Sequence, residues 1–211
     1  MDRGMGTGGM TDHGLRFGPL GDGAVHLCVD MQNMFAKETE WHTPWMERVL
    51  PNVERIVRRN PARTIFTRFI PARNADAAQG TWRRYYQRWH AMTLAELDPV
   101  MLDLVPPLGD FAPPAEVLDK TTYGPWIEAD LDERLRRRGV DTLVVTGGET
   151  DVCVLGTVMG AVDRGYRVVM VVDALCSASD ETHDAMLLLY NSRYGSQVET
   201  VTTDQVLDDW R

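Results

Sequence analysis

The stretch TLVVTGGETDVCVLGTVMGAVDRGYRVVMVVDA, residues 142–174, decides the fold. Two apolar runs, 142–147 and 166–173, bracket an amphipathic segment, 151–165, that ends at Gly165. Short continuous runs rich in valine mark strands buried on both faces, and a helix-length segment between two of them marks a βαβ crossover. Outward from this unit the same alternation repeats. Toward the N-terminus, strands are predicted at 24–30, 63–69 and 116–120, with helices at 43–60, 81–90 and 124–139. Toward the C-terminus follow a helix at 179–195 with Ser179 as N-cap, a strand at 197–202 and a short helix at 203–210. Six strands alternating with helices predict one α/β domain, a parallel sheet between two helical layers.

The chain has 211 residues, enough for one such domain with a sizeable core. A glycine-rich tail, 1–20, precedes a single domain at 21–211. Gly4, Gly6 and Gly9 match G-x-G-x-x-G literally, but no strand precedes them and no helix pattern follows, so the dinucleotide reading fails its context. There is no phosphate-binding G-x-x-x-x-G-K-[ST], no H-E-x-x-H, and the five histidines are scattered, so neither a cofactor nor a metal is expected. A formal net charge of −9 argues against nucleic acid and anionic membranes as partners. No window approaches a membrane span, and no apolar signal region opens the chain. Three cysteines, Cys28, Cys153 and Cys176, with no C-x-x-C, suggest a reduced, cytoplasmic protein.

In sheets of this kind sites form beyond the C-terminal ends of the strands. Three residues with usable chemistry stand there. Asp30 ends the first strand, where partial desolvation can raise a carboxylate toward the range of a general base. Cys153 follows the strand 142–147 within the first turn of a helix, where free N–H groups and the helix dipole favour a thiolate and can hold an oxyanion. Lys120 ends the third strand in a chain where 20 of the 22 basic residues are arginine. A compact ammonium fits beside a carboxylate and a thiolate where a guanidinium does not. Each alone also suits a bland role, as a cap, a buried structural thiol or a surface lysine. Together they form a nucleophile, base and cation set at three strand mouths. The aromatics Trp82, Tyr85, Tyr86 and Trp89 share one helix face, which reads as packing or pocket wall rather than a nucleic-acid surface.

With these residues in place, the chain resembles the isochorismatase-like cysteine hydrolases, which include nicotinamidase and N-carbamoylsarcosine, ureidoacrylate and biuret hydrolases. The resemblance runs from about residue 24 to 201, carried by VDMQNMF (29–35), LDKTTYGPW (118–126) and the segment 144–174 with its T-D-x-C-V core. It implies a Rossmann-like six-stranded parallel sheet of order 3-2-1-4-5-6 and a catalytic triad of Cys153, Asp30 and Lys120. It also implies a non-proline cis peptide at Glu149–Thr150 and an oxyanion hole from the backbone N–H groups of Thr150 and Cys153. The family's nicotinamidases carry D-x-H after the second strand as part of a metal site; Phe69 and Pro71 stand there instead, which argues against metal and nicotinamide. Gly124-Pro125-Trp126 replaces the S-A-F of many members, with Trp126 as the expected aromatic pocket wall. The remaining substrate-binding candidates are Gln32, Phe35, Arg68, Tyr123 and Glu149, with Arg73, Arg83 and Arg84 as further members of a carboxylate clamp. Isochorismatases proper lack the nucleophilic cysteine, so the resemblance implies hydrolysis of an amide, ureide or carbamoyl C–N bond through a thioester, in a homodimer or homotetramer. Vinyl-ether or ester hydrolysis on the same scaffold and a non-catalytic scaffold domain are the alternatives.

Overall fold

The structure, a computed structural model, describes residues 15–127 and 130–210. The first fourteen residues of the glycine-rich tail lie outside the described residues. In chain order the elements are β1 (Ala24–Val29), α1 (Asn33–Ala36), α2 (Met46–Arg59), β2 (Thr64–Phe69), α3 (Thr81–Arg88), β3 (Glu116–Lys120) and α4 (Leu131–Arg137). They continue as β4 (Thr142–Gly148), α5 (Cys153–Asp163), β5 (Arg167–Cys176), α6 (Asp180–Arg193), β6 (Val198–Val201) and α7 (Thr203–Asp209). All six strands pair in parallel, as the alternation predicts, in the order β3-β2-β1-β4-β5-β6 that the family resemblance implies.

The unbroken apolar runs of the central strands serve two cores at once. Ala24 and Cys28 of β1, Val144 of β4, and Val169 and Val171 of β5 pack on one face with α2 and α7. Val25, Leu27 and Val29 of β1, Leu143 and Val145 of β4, and Val168 and Met170 of β5 pack on the other with α4, α5 and α6. This is the period-two alternation of a strand with both sides covered. Among the described residues no helix is long and apolar enough to cross a membrane.

Two elements differ from expectation in ways that matter for the site. The predicted helix 124–139 is helical only over α4. Its first part is instead a turn laid against α5: a Cβ on Gly124 would sit 2.8 Å from the Gly156 carbonyl oxygen, and one on Gly156 would meet the Gly124 nitrogen at 3.0 Å. Two glycines allow two backbones to touch there. The strand β5 runs on to Cys176, three residues beyond the predicted end, with a register shift against β4 between Val145 and Gly147. At that shift Gly147 adopts φ +99°, and its Cα passes so close to β1 that a Cβ would lie 2.1 Å from the Val29 carbonyl oxygen. The ends of β1 and β4 are thereby drawn together.

Candidate active site

Asp30 is the residue immediately after β1, and its backbone is left-handed, φ +50°. Asp tolerates this region better than most residues, at a cost of about 1–3 kcal/mol. The surroundings hold it there. Its N–H donates to the Thr67 carbonyl (3.2 Å), and the Thr67 hydroxyl donates to Oδ1 (2.6 Å). Lys120 Nζ donates to Oδ2 at 2.7 Å and to the Thr122 carbonyl at 3.1 Å. Both side chains of this ion pair are 1% exposed. Lys120 also rests over the Phe69 ring, 5.2 Å from its centroid.

Cys153 is the first residue of α5 and is 6% exposed. Its thiol lies within hydrogen-bonding reach of both Asp30 and Lys120. The three strand-end residues singled out from the sequence thus converge on one buried point. Burial pushes the Cys153 thiol well up; the Lys120 ammonium opposes this and the Asp30 carboxylate adds to it. Burial thus works against the thiolate that the helix start favours. For Lys120, burial works to lower its pKa, but the Asp30 and Cys153 charges overcome that and hold it above its ordinary value. Cys28 and Cys176 are buried structural thiols, Cys28 pushed up to about 12 by desolvation.

Between β4 and α5 the non-proline cis peptide lies at Gly148–Glu149, one residue before the expected position. The oxyanion expectation is also corrected. The Thr150 N–H donates to the Cys176 carbonyl at 2.9 Å and the Thr150 hydroxyl to the same oxygen at 3.1 Å, so this amide is spent on fixing the loop to the extended end of β5. The Val152 and Val154 N–H groups both donate to the Glu149 carbonyl. The N–H groups of Glu149 and Cys153 have no acceptor among the described residues.

The substrate-binding candidates divide. Tyr123 stands at the site: its hydroxyl is hydrogen-bonded to Tyr85, its ring is 4.9 Å from Trp82, and its pKa is raised by burial and by the nearby Cys153 and Glu149 charges. Tyr85 is held up by burial and by these same groups, including Cys153. Trp41, which the sequence did not single out, packs on Phe35, Phe69 and Tyr85 at 5.8–6.1 Å between centroids. Its indole N–H is buried with no acceptor among the described residues. Phe35 supports this aromatic wall from behind through Trp41. Glu149 reaches the site beside Cys153, accepting from the Thr43 hydroxyl (3.4 Å) and the Ala178 N–H (3.2 Å). Burial, then the Asp151 charge, raise its carboxyl.

Three candidates are corrected. Gln32 is a brace: its side-chain amide donates to the Phe69 and Leu102 carbonyls and its Oε1 accepts from the Phe69 N–H at 2.6 Å, which occupies it fully. Arg68 makes a two-pronged contact with Asp119 across the β2–β3 pair, at 2.7 and 2.9 Å, and is not aimed at a substrate. Trp126 donates its indole N–H to the Thr157 carbonyl (2.9 Å) and stacks on Tyr166, so it seals α5 rather than the pocket. The other arginines expected in a carboxylate clamp, Arg73, Arg83 and Arg84, are exposed. Among the described residues no three His, Cys, Asp or Glu side chains are grouped to hold a metal ion.

The isochorismatase domain matches residues 24–205. The chain belongs to the isochorismatase family. Nicotinamidase 3 of Arabidopsis thaliana is 28% identical over 78% of this chain and 79% of its own length. An uncharacterised isochorismatase family protein of Bacillus subtilis is 37% identical over 89 residues, a match that spans 46% of that protein. A maleamate amidohydrolase of Pseudomonas putida is 32% identical over 108 residues, 47% of this chain and 51% of its own length. Among solved structures, a cysteine hydrolase from Pseudomonas syringae superimposes with a TM-score of 0.75 over 89% of this chain and 92% of that one, at 22% identity. The N-carbamoylsarcosine amidase of Thermoplasma acidophilum gives 0.68 over 86% of this chain and 96% of that one, at 21% identity. These structural likenesses confirm the isochorismatase-family fold.

Proposed function

We propose that the protein hydrolyses the C–N bond of a small carboxamide, ureide or carbamoyl compound through a thioester on Cys153. The observation that carries this reading is the buried Asp30–Lys120 pair at 2.7 Å with the Cys153 thiol beside it at a helix start. The Cys153 proton passes to Asp30 as the sulfur attacks the carbonyl carbon, so that a C–S bond forms. The developing oxyanion is met by the N–H groups of Glu149 and Cys153, neither of which has an acceptor among the described residues. Asp30 then gives the proton to the leaving nitrogen as the C–N bond breaks. Water enters, Asp30 takes one of its protons, the C–S bond breaks and the acid departs with the thiol restored. Lys120 keeps Asp30 in place and offsets the charge on sulfur while the pair is ionised. Named amidohydrolases among the relatives support the same reaction class.

The test is ammonia release from a panel of small amides and ureides, with Cys153→Ala as control, and mass spectrometry of the acid-quenched enzyme. The expected result is Cys153-dependent release and an acyl adduct on the peptide that contains Cys153. Equal turnover by the alanine variant would overturn the mechanism. The homo-oligomer that the family resemblance implies is a further proposal, which light scattering reads directly.

A further inference from the structure

The charges at the site do not balance. Asp30 and Lys120 neutralise one another at 2.7 Å. Burial works against charge on the Cys153 thiol. Glu149 remains, and both of its hydrogen-bond partners, the Thr43 hydroxyl and the Ala178 N–H, are neutral. The charged groups that act on it most strongly are other carboxylates, Asp151 and Asp30. Asp151 in turn accepts from the Ser177 hydroxyl at 2.5 Å, again a neutral partner. A half-buried carboxylate without a cation is unusual, because burial of charge is costly unless it is paired.

The wall opposite carries the complementary feature. Trp41, Tyr85, Trp82 and Tyr123 form a continuous chain of ring contacts with centroids 4.9–5.8 Å apart. The wall borders the site on two sides: Phe69, against which Trp41 and Trp82 pack, lies under Lys120 with its centroid 5.2 Å from Nζ, and Thr43, two residues beyond Trp41, holds the Glu149 carboxylate. Aromatic faces attract cations, most strongly when water is excluded. An anionic substrate meets the reverse: two carboxylates at the site, an ammonium already spent, and Arg68 turned to Asp119.

We propose, building on the amidohydrolase reading, that Glu149 and this aromatic wall select carboxamides that carry a positively charged nitrogen close to the scissile carbonyl. Glu149 acts as a specificity-determining residue, supplying the counter-charge, while the rings desolvate the cation. The product is a zwitterionic acid, so the preceding reaction is of the class that makes amides of amino- or ammonio-acids.

The experiment compares three probes of similar size: betaine amide, which is cationic; 3,3-dimethylbutanamide, its uncharged isostere; and malonamate, which is anionic. Wild type is expected to show a kcat/KM for betaine amide at least ~10-fold above that for the isostere, with malonamate the poorest. Glu149→Gln should shrink the cation-to-isostere ratio by at least ~5-fold. A merely structural role for Glu149 would lower both rates together and leave the ratio unmoved, which overturns the proposal, as does a wild-type ratio near one. If wild type hydrolyses none of the three, the amidohydrolase reading is what fails, and binding decides this inference separately. Quenching of tryptophan fluorescence should then show betaine amide binding more tightly than the isostere in wild type and not in Glu149→Gln. Equal binding of the two in wild type overturns the inference.

Discussion

Replacing Lys120 by Met removes the one cation that, among the described residues, pairs with Asp30, while keeping most of the volume that fills this part of the site. The carboxylate is then left with the Thr67 hydroxyl, at 2.6 Å, and the Cys153 thiol. Both members of the pair are 1% exposed, so water cannot take the place of the ammonium without opening the structure. Breaking a buried ion pair from one side costs about 3–5 kcal/mol. Asp30→Asn strands the ammonium instead, which keeps the Thr122 carbonyl at 3.1 Å, and should cost roughly 2–4 kcal/mol. Asparagine tolerates the left-handed backbone at this position, so the substitution adds no strain of its own. The double variant contains no stranded charge and should lose only about 1–2 kcal/mol, leaving a coupling energy of roughly 3 kcal/mol or more. Urea unfolding at pH 7, followed by circular dichroism and tryptophan fluorescence with unchanged m-values, measures all four corners of the cycle. Additivity of the two single losses to within about 0.5 kcal/mol would refute the argument that the pair stands or falls as a unit.

Other expectations follow from the same geometry. His26 is fully buried between Thr64 and Thr146 hydroxyls, and desolvation lowers its pKa to about 3. The unfolded chain therefore binds a proton that the folded one does not, and stability should fall as pH drops from about 6.5 toward 3, by about 1.4 kcal/mol per pH unit; His26→Gln should remove that slope, seen as a convergence of the two stabilities in acid. Gly147→Ala should cost more than about 3 kcal/mol, because a methyl group would collide with the Val29 carbonyl and the residue sits at φ +99°; a near-normal melting temperature would contradict the close approach of β1 and β4. Iodoacetamide should label Cys153 slowly at neutral pH and faster as pH rises, and Lys120→Met should slow it further, since the ammonium is what opposes the burial-driven rise of the thiol pKa. Arg68→Ala, which breaks a surface pair with Asp119, should change stability by less than about 1 kcal/mol and leave kcat/KM unaltered.

The parallel sheet and the convergence of Asp30, Lys120 and Cys153 were legible because both obey rules of chain direction, whereas the strand order came only with the family resemblance. An apolar run too short for a helix and buried on both faces has few alternatives to a central strand. Its C-terminal end then points to the one rim where sites form. What escaped the sequence depends on who reaches a polar group first. The Thr150 amide was a reasonable oxyanion donor until β5 proved three residues longer than its valine run and brought the Cys176 carbonyl beneath it. Arg68 suited a carboxylate clamp, but the β2–β3 register sets it directly beside Asp119, and register is not written in either strand alone. Trp126 was displaced by a contact between Gly124 and Gly156, thirty-two positions apart. Trp41 left no periodic signal, because it lies in a loop and joins the site only through rings contributed by three other segments.

The left-handed backbone of Asp30 constrains how a lineage can abandon this site. Single-nucleotide replacements such as valine and tyrosine put a β-branched or bulky side chain where the chain turns with positive φ, and such a protein loses folding stability as well as catalysis. Asparagine and glycine are the exits that spare the turn most fully, and both lie one base change from an aspartate codon. Descendants that have lost the general base but persist as folded proteins should therefore carry one of these two residues at this position, which makes it a compact record of whether selection on the chemistry has been relaxed.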